Sequence, residues 1–291
     1  MDTELIERLR AGSAVLGAEP TGTEPNLPLL PGLRAVCFDV YGTLFISGSG
    51  DISLAGTGER SPALAAALEA AGFRLTGARD SLARRFHACL ADHRDRRRAE
   101  GVEFPEVRIG EVWEAFSALL REDGFLAGEG DARTAAIEYE LRANPCWPMP
   151  GLEATLQHLR AAALPMGIVS NAQFYTPLLF NALCGKSPGA LGFSEDLMVW
   201  SFREREGKPS RRLYEKLAAA LERRGLRAGQ VLYVGNDMRN DVAPAAASGF
   251  RTALFAGDRR SLRWRKGDPL VRGVEPDAIL TDLRQVLSLI A

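Results

Sequence analysis

Ala35-Val36-Cys37-Phe38-Asp39-Val40-Tyr41-Gly42-Thr43-Leu44 is the stretch on which the fold turns. Its first four residues are apolar with no polar face, which reads as a short strand covered on both sides. An acid, a glycine and a hydroxyl residue then follow, the composition of a turn leaving the strand's carboxyl end. Runs of the same kind recur at Met166-Gly167-Ile168-Val169, Val231-Leu232-Tyr233-Val234, Thr252-Ala253-Leu254-Phe255 and Ala278-Ile279-Leu280. Helical stripes lie between them. Leu152, Leu156, Leu159 and Ala163 follow Pro150-Gly151. Leu213, Leu217, Ala220 and Leu221 form another stripe, with Pro209 near its first turn and Gly225 where a C-terminal cap belongs. Strand alternating with helix predicts an α/β fold with a doubly wound parallel sheet.

Composition narrows the function classes. Hydrophobic residues make up 46% of the 291, enough to build a core and to exclude disorder as the main state. Basic and acidic residues number 36 and 37, a net charge of −1 that argues against a dedicated nucleic-acid binder. No apolar run approaches the roughly 18 residues a membrane helix needs, and no secretory leader pattern is visible. Cys37, Cys89, Cys146 and Cys184 are widely spaced, without the C-x-x-C pairs of a zinc site. The expectation is a reduced, cytoplasmic protein, monomer or homodimer, with no membrane or nucleic-acid partner.

Three regions are predicted. Residues 1–33 form an N-terminal extension, a short amphipathic stretch around Leu5 and Leu9 followed by a Pro/Thr/Gly-rich linker from Glu19 to Gly32 that should be loosely packed. Residues 34–50 and 148–291 form the sheet-bearing core. Residues 51–147 read as an insertion of helices: one opened by Ser61-Pro62 and ended by Gly72, then Ser81 to about Glu100, Gly110 to Glu122, and Asp131 to Leu141. Ser47 to Gly50 lies between core and insertion and reads as a flap or a linker.

In an open parallel sheet, ligands bind at the carboxyl ends of the strands. The residues found there are Asp39 to Leu44, Ser170-Asn171, and Gly235-Asn236-Asp237-Met238-Arg239-Asn240-Asp241. Gly207-Lys208-Pro209 opens a helix. Asp39 is a candidate nucleophile, since a carboxylate can attack phosphorus or an alkyl carbon to give a covalent ester. Lys208 is one of only four lysines, with 186, 216 and 266. It is a compact point charge suited to neutralising a negative nucleophile and substrate, and a helix start is an unfavourable place for a merely solvated cation. Ser170 can donate to a substrate oxygen, and Thr43 can orient Asp39. Asp237 and Asp241, four residues apart, suit a magnesium site and equally suit the capping of a helix beginning near Val242.

Asp-x-x-Gly-Thr-Leu, Ser-Asn, Lys-Pro and Asp-x-x-Asn-Asp, in this order and at these places, resemble the four motifs of haloacid dehalogenase-like hydrolases. The resemblance spans residues 34–285 and implies a Rossmann-like core with an inserted helical cap. It implies Asp39 as nucleophile, with Thr43, Ser170, Lys208 and Tyr41 in the catalytic set. Asn171 and Gly42 would border a small anionic substrate. Asp39, Asp237 and the backbone carbonyl of Tyr41 would hold Mg²⁺ directly, and Asp241 would bind it through water or orient the lysine. Apart from the resemblance, Arg108 and Glu106 lie in a loop that could reach the active site and make Arg108 a further candidate for substrate binding.

Position 41 departs from the phosphatase pattern. Phosphatases of this superfamily carry a second aspartate there, which protonates the leaving alcohol and later activates water. A phenol is a poor base at neutral pH. Asp-x-Tyr-Gly-Thr-Leu looks like the L-2-haloacid dehalogenases, where halide leaves unprotonated and no metal is required. The loop from Gly235 to Asp241 looks like the metal loop of phosphatases. The first expectation is therefore a Mg²⁺-dependent phosphohydrolase working through an aspartyl-phosphate at Asp39 on substrates whose leaving group needs no acid. The rivals are a metal-free dehalogenase and a silent binding protein that kept the fold. Arg74 is a loose candidate for a cap arginine that holds substrate. The run Arg94 to Arg98 reads mainly as a solvated helix face.

Overall fold

The computed structural model describes residues 2–49 and 60–290. Its centre is a six-stranded sheet, all parallel, made of β1 (Ala35–Phe38), β6 (Met166–Ser170), β7 (Phe193–Trp200), β8 (Val231–Gly235), β9 (Arg251–Phe255) and β10 (Ala278–Leu280), in the order β10-β9-β8-β1-β6-β7. Phe38 pairs with Ile168 on one side and Val234 on the other. The chain runs outward from β1 through β6 to β7, then returns to the far side of β1 for β8, β9 and β10. That reversal opens a crevice at the carboxyl end of β1, where Asp39 stands.

Both faces of the sheet are buried, and side chains alternate between them as strand geometry requires. Val36 and Phe38 join one cluster with Leu152, Leu156 and Leu159 of α6 (Leu152–Ala161). Ala35, Cys37 and Tyr233 join another with Leu213, Leu217 and Leu221 of α10 (Arg211–Glu222). Short α8 (Pro188–Leu191), α9 (Ser201–Glu204) and α11 (Ala243–Ala247) complete the connections.

The inserted helices are α2 (Ser61–Ala70), α3 (Leu82–Ala99), α4 (Ile109–Glu122) and α5 (Ala132–Ala143), with a small β3–β4 ribbon (Arg74–Leu75, Leu126–Ala127). They have their own core of Leu64, Leu68, Phe86, Trp113 and Phe116. The chain leaves the sheet through β2 (Phe45–Ser47) and returns through β5 (Cys146–Pro148), which pair antiparallel. The expected boundary near residue 51, and Gly50 of the proposed flap, lie outside the described residues. A loop from Phe104 to Ile109 seats the insertion on the core. Gly207 donates to the Phe104 carbonyl (2.8 Å), and Gln173 of the core is hydrogen-bonded to Val107 and Ile109.

The N-terminal segment is more tightly held than its composition predicts. Leu5 and Leu9 of α1 (Asp2–Gly12) pack on Ile137 of α5 and on Leu179 and Ala182 of α7 (Thr176–Cys184). Further on, Asn26 and Ile279 exchange two backbone hydrogen bonds of 2.9 Å, and Leu30 donates to the Leu289 carbonyl. The reason is the open edge of β10, whose unpaired backbone groups gain partners from any extended segment laid beside them. Among the described residues no helix is long and apolar enough to cross a membrane.

Candidate active site

The side chains at the carboxyl end of β1 meet around Lys208. Its ammonium donates to Asp39 Oδ1 (2.7 Å), Asp241 Oδ1 (2.6 Å) and the Tyr233 hydroxyl (2.9 Å). The Lys208 side chain is 2% exposed. Its backbone is fixed too, because Lys208 N donates to Asn171 Oδ1 (2.7 Å). Burial by itself would lower the Lys208 pKa. Asp241 and Asp39 outweigh it and hold the ammonium above its usual range. Asp241 is driven the other way: burial raises its carboxyl, Asp39 and Asp237 add to the rise, and Lys208 opposes it. One cation thus serves two carboxyl groups in a site nearly closed to solvent.

Tyr233 rises from β8 to reach this cluster, with its hydroxyl also near the Val169 carbonyl (2.8 Å) and Asp241 Oδ1 (3.2 Å). Burial pushes its phenol well above the ordinary value, so it acts as a neutral hydrogen-bonding partner. Gly42 sits at φ +81°, and a Cβ there would fall 2.7 Å from the Asn236 amide nitrogen. Only glycine lets the turn after Asp39 adopt this shape. Thr43 donates to Asn236 Oδ1 (3.2 Å), tying that turn to the loop after β8.

The Tyr41 hydroxyl is hydrogen-bonded to Thr176 Oγ1 (2.8 Å). Burial first, and then the charge of Glu140, raise its pKa well above the usual value. It therefore supplies no general base at neutral pH. Ser170 is fully buried, and its hydroxyl makes only a long contact (3.4 Å) to the Asn171 carbonyl, which leaves it able to donate to a ligand.

Of the residues singled out from sequence, the fold brings Asp39, Lys208, Asp241 and Asn171 into one connected cluster, with Thr43, Ser170 and Gly42 on adjoining loops. Arg108 stands apart. It is about half exposed, paired with Glu111 and bonded to the Phe202 carbonyl. Arg74 is exposed on β3. Arg96, Arg97 and Arg98 pair with Asp92, Glu100 and Asp95 along their own helix.

A family model described as haloacid dehalogenase-like hydrolase matches residues 33–249, well over half of the chain. The chain belongs to the haloacid dehalogenase-like hydrolases. It is therefore a hydrolase of that family. No curated protein is significantly similar to it. Among solved structures, a 2-haloacid dehalogenase from Pseudomonas syringae pv. Tomato DC3000 is 20% identical, with 88% of this chain and 97% of that one covered and a TM-score of 0.51. The L-2-haloacid dehalogenase from Xanthobacter autotrophicus (23% identical, 87% and 96% covered, TM-score 0.46) and a HAD phosphatase from Thermococcus onnurineus (19%, 87% and 96%, 0.49) are similar to a comparable degree. Likeness at this level speaks for the fold alone.

Family membership raises the question of Mg²⁺, and the donors present do not fit it as they are folded. Asp241 is 1% exposed. Its Oδ1 is taken by Lys208 and Tyr233, and its Oδ2 accepts from the Asp237 backbone (3.0 Å). Asp237 caps the turn that follows it, accepting from the N–H groups of Arg239 and Asn240, and is ion-paired with Arg265 (2.7 Å). Among the described residues no group of three or more acids, histidines or cysteines is arranged to hold a metal ion. Asp237 caps the helical turn Met238–Val242, which starts four residues before the expected helix start near Val242, and Asp241 bonds Lys208 instead of capping.

Three site residues escaped the sequence reading. Tyr233 passed as one more apolar strand residue, although a buried tyrosine needs a partner for its hydroxyl, and that was the available signal. Asn236 was quoted within the loop but given no role. Arg265 lies in a basic stretch, Arg263-Trp264-Arg265-Lys266, that nothing local distinguishes from surface charge.

Proposed function

We propose that the chain hydrolyses a small anionic substrate at a saturated carbon, through an ester on Asp39 and without a divalent metal, as in 2-haloacid dehalogenation. The observation that carries this is Tyr41. The position that would supply acid to an alkoxide leaving group holds a phenol bonded to Thr176, with its pKa raised. A leaving group that departs as a stable anion needs no such acid.

In the first step an Asp39 oxygen attacks the carbon. The new C–O bond forms as the carbon–halogen bond breaks, and halide leaves with the bonding pair. Lys208 holds Asp39 in place. In the second step water adds to the Asp39 carboxyl carbon and the ester bond to Asp39 breaks there. The product hydroxyl therefore carries an Asp39 oxygen, and a water oxygen remains on Asp39. Of the water's two protons, one passes to the departing product oxygen to complete its hydroxyl and the other is released to solvent, while Asp241, bonded to Lys208 across from Asp39, helps keep the ammonium charged. Ser170 and Asn171 border the substrate, under a cap formed by the inserted helices.

The charge balance supports carbon over phosphorus. Lys208 is already shared by two carboxylates, so a phosphate dianion would approach a cluster of its own sign. A haloacid carries its one charge on a group away from the reacting carbon.

A second reading, Mg²⁺-dependent hydrolysis of acyl or aryl phosphates, has one observation in its favour. Asp39, Asp237 and Asp241 stand close enough to raise the Asp241 pKa together, a crowding of acids that a divalent cation would relieve.

The test is halide release from L-2-chloropropionate in EDTA, beside phosphate release from p-nitrophenyl phosphate and acetyl phosphate with and without Mg²⁺, with Asp39→Asn as control. Halide release lost in the control, with ¹⁸O from labelled water entering Asp39 in a single turnover, is the expected result. Mg²⁺-dependent phosphate release without halide release would replace the first reading by the second.

A further inference from the structure

The Asp237 carboxylate has no free lone pair, and one of the groups filling it is a cation. Oδ1 accepts from Arg239 N (2.9 Å), Asn240 N (3.2 Å) and Arg265 Nε (3.2 Å). Oδ2 accepts from Asn240 Nδ2 (3.1 Å), Arg265 Nε (3.1 Å) and Arg265 Nη2 (2.7 Å). A carboxylate offers about four lone-pair positions, so these donors saturate it. The Asp237 side chain is 8% exposed and that of Arg265 is 25%. The guanidinium thus closes the carboxylate off from solvent.

The backbone delivers Arg265 to this place. The segment after β9 bridges the loop after β8 in parallel: Arg263 N donates to the Asn236 carbonyl, and Met238 N to the Arg263 carbonyl, both 2.9 Å. Two residues on, Arg265 itself stands at φ +50°. Residues with a Cβ disfavour that left-handed region. The chain accepts the unfavourable conformation at the residue whose guanidinium reaches Asp237 through both Nε and Nη2, a forked geometry that arginine makes and lysine does not.

We infer that Arg265 is a resident cation of the active site: it occupies Asp237 in place of a divalent ion and keeps this chain from taking up Mg²⁺. A guanidinium is always charged, so the neutralisation is permanent and intramolecular. The inference concerns which cation holds Asp237, and it stands whether the substrate is attacked at carbon or at phosphorus.

The experiment is calorimetric titration of MgCl₂ into the purified full chain, with no substrate, for the wild type, Asp237→Asn, Arg265→Ala, Arg265→Gln and Arg265→Ala/Asp237→Asn. The wild type should give no saturating isotherm. Both single variants should bind Mg²⁺ about tenfold or more tightly than the wild type, and the double variant should lose that gain. A saturating wild-type isotherm abolished by Asp237→Asn overturns the inference. So does failure of both Arg265 variants to gain binding while their circular dichroism stays native. If the alanine variant does not fold, the glutamine variant keeps the backbone turn and a neutral side chain of similar reach, and carries the test. Because the readout is heat of ion binding, the result is separate from whether halide or phosphate is released.

Discussion

Lys208 makes three hydrogen bonds where its side chain is almost closed to solvent, and two of its three partners are carboxyl groups. Removing the ammonium strands both. Lys208→Met should lower stability by about 3–5 kcal/mol in urea denaturation, because a buried charge left unpaired costs more than the pair contributed. Asp39→Asn keeps the shape and a hydrogen-bond acceptor for Lys208. It should leave the urea midpoint nearly unchanged and reduce turnover by about a thousandfold or more. Equal stability losses in the two variants would contradict this account of the cluster. Tyr233→Phe removes one hydroxyl that links Lys208, Asp241 and the Val169 carbonyl. Its expected cost is about 1–2 kcal/mol, with a fall in kcat and little change in KM, since the ring packs on and only the alignment of the cluster loosens. Asp39, Lys208 and Asp241 were legible in the sequence because each is an ionisable residue just after a buried strand or at a helix start, where turn chemistry alone does not explain it. Tyr233 and Arg265 were not. Their roles depend on strands and loops distant in sequence coming together, and their residue types are ordinary for a strand and for an arginine-rich surface.

The inserted helices were legible almost to the residue, because each carries an apolar stripe for a core of its own and an end signal such as Ser61-Pro62 or Gly72. The edge strand β7 was missed: Ser194, Glu195 and Asp196 in its first half break the apolar pattern, as only a strand with one side open can tolerate. How the insertion meets the core was equally invisible, and there the structure places a buried acid. Glu140 of α5 accepts from the Tyr175 hydroxyl (2.9 Å) and Asn144 (3.1 Å). Burial raises its pKa above the ordinary 4.5, while Asn144, Tyr175 and the charge of Arg60 oppose the rise. Tyr41 and Cys146 also face it, with their own protons held more firmly by its charge. Well below pH 4.5 both native and unfolded chains hold the Glu140 proton. As pH climbs above 4.5 the unfolded chain loses it while the native chain keeps it, so the stability contributed by this site falls until pH passes the raised native value. Glu140→Gln has no proton to lose. Thermal melts of the two proteins between pH 4.5 and 8 should therefore show the wild type losing more stability than the variant as pH rises. Parallel curves would mean that the carboxyl is ionised where it lies.

The molecule as a whole is two cores, one around the sheet and one within the inserted helices, and α1 spans them. Nothing in the sequence says where an amphipathic stretch at the start of the chain will dock, because its pattern fixes which face is apolar and not what that face meets. In the structure Arg8 reaches Glu138 and the Ala70 carbonyl on the inserted helices, while Arg10 donates to the Asn181 and Ala182 carbonyls on the sheet side. Leu5 and Leu9 fill the seam between, 3% and 0% exposed. A helix fastened to both sides of the seam resists their separation. Leu9→Ala should weaken the fastening by about 2–5 kcal/mol, the usual cost of emptying a buried leucine site. Because α5 and α7 share the contact, the loss should register on both at once. Amide exchange should quicken together in residues 132–143 and 176–184, while β1 and β8, protected by the sheet, exchange as before. If exchange quickened in residues 2–12 alone, the helix would be a passenger on the surface and the two cores would be held by the Phe104–Ile109 loop without it.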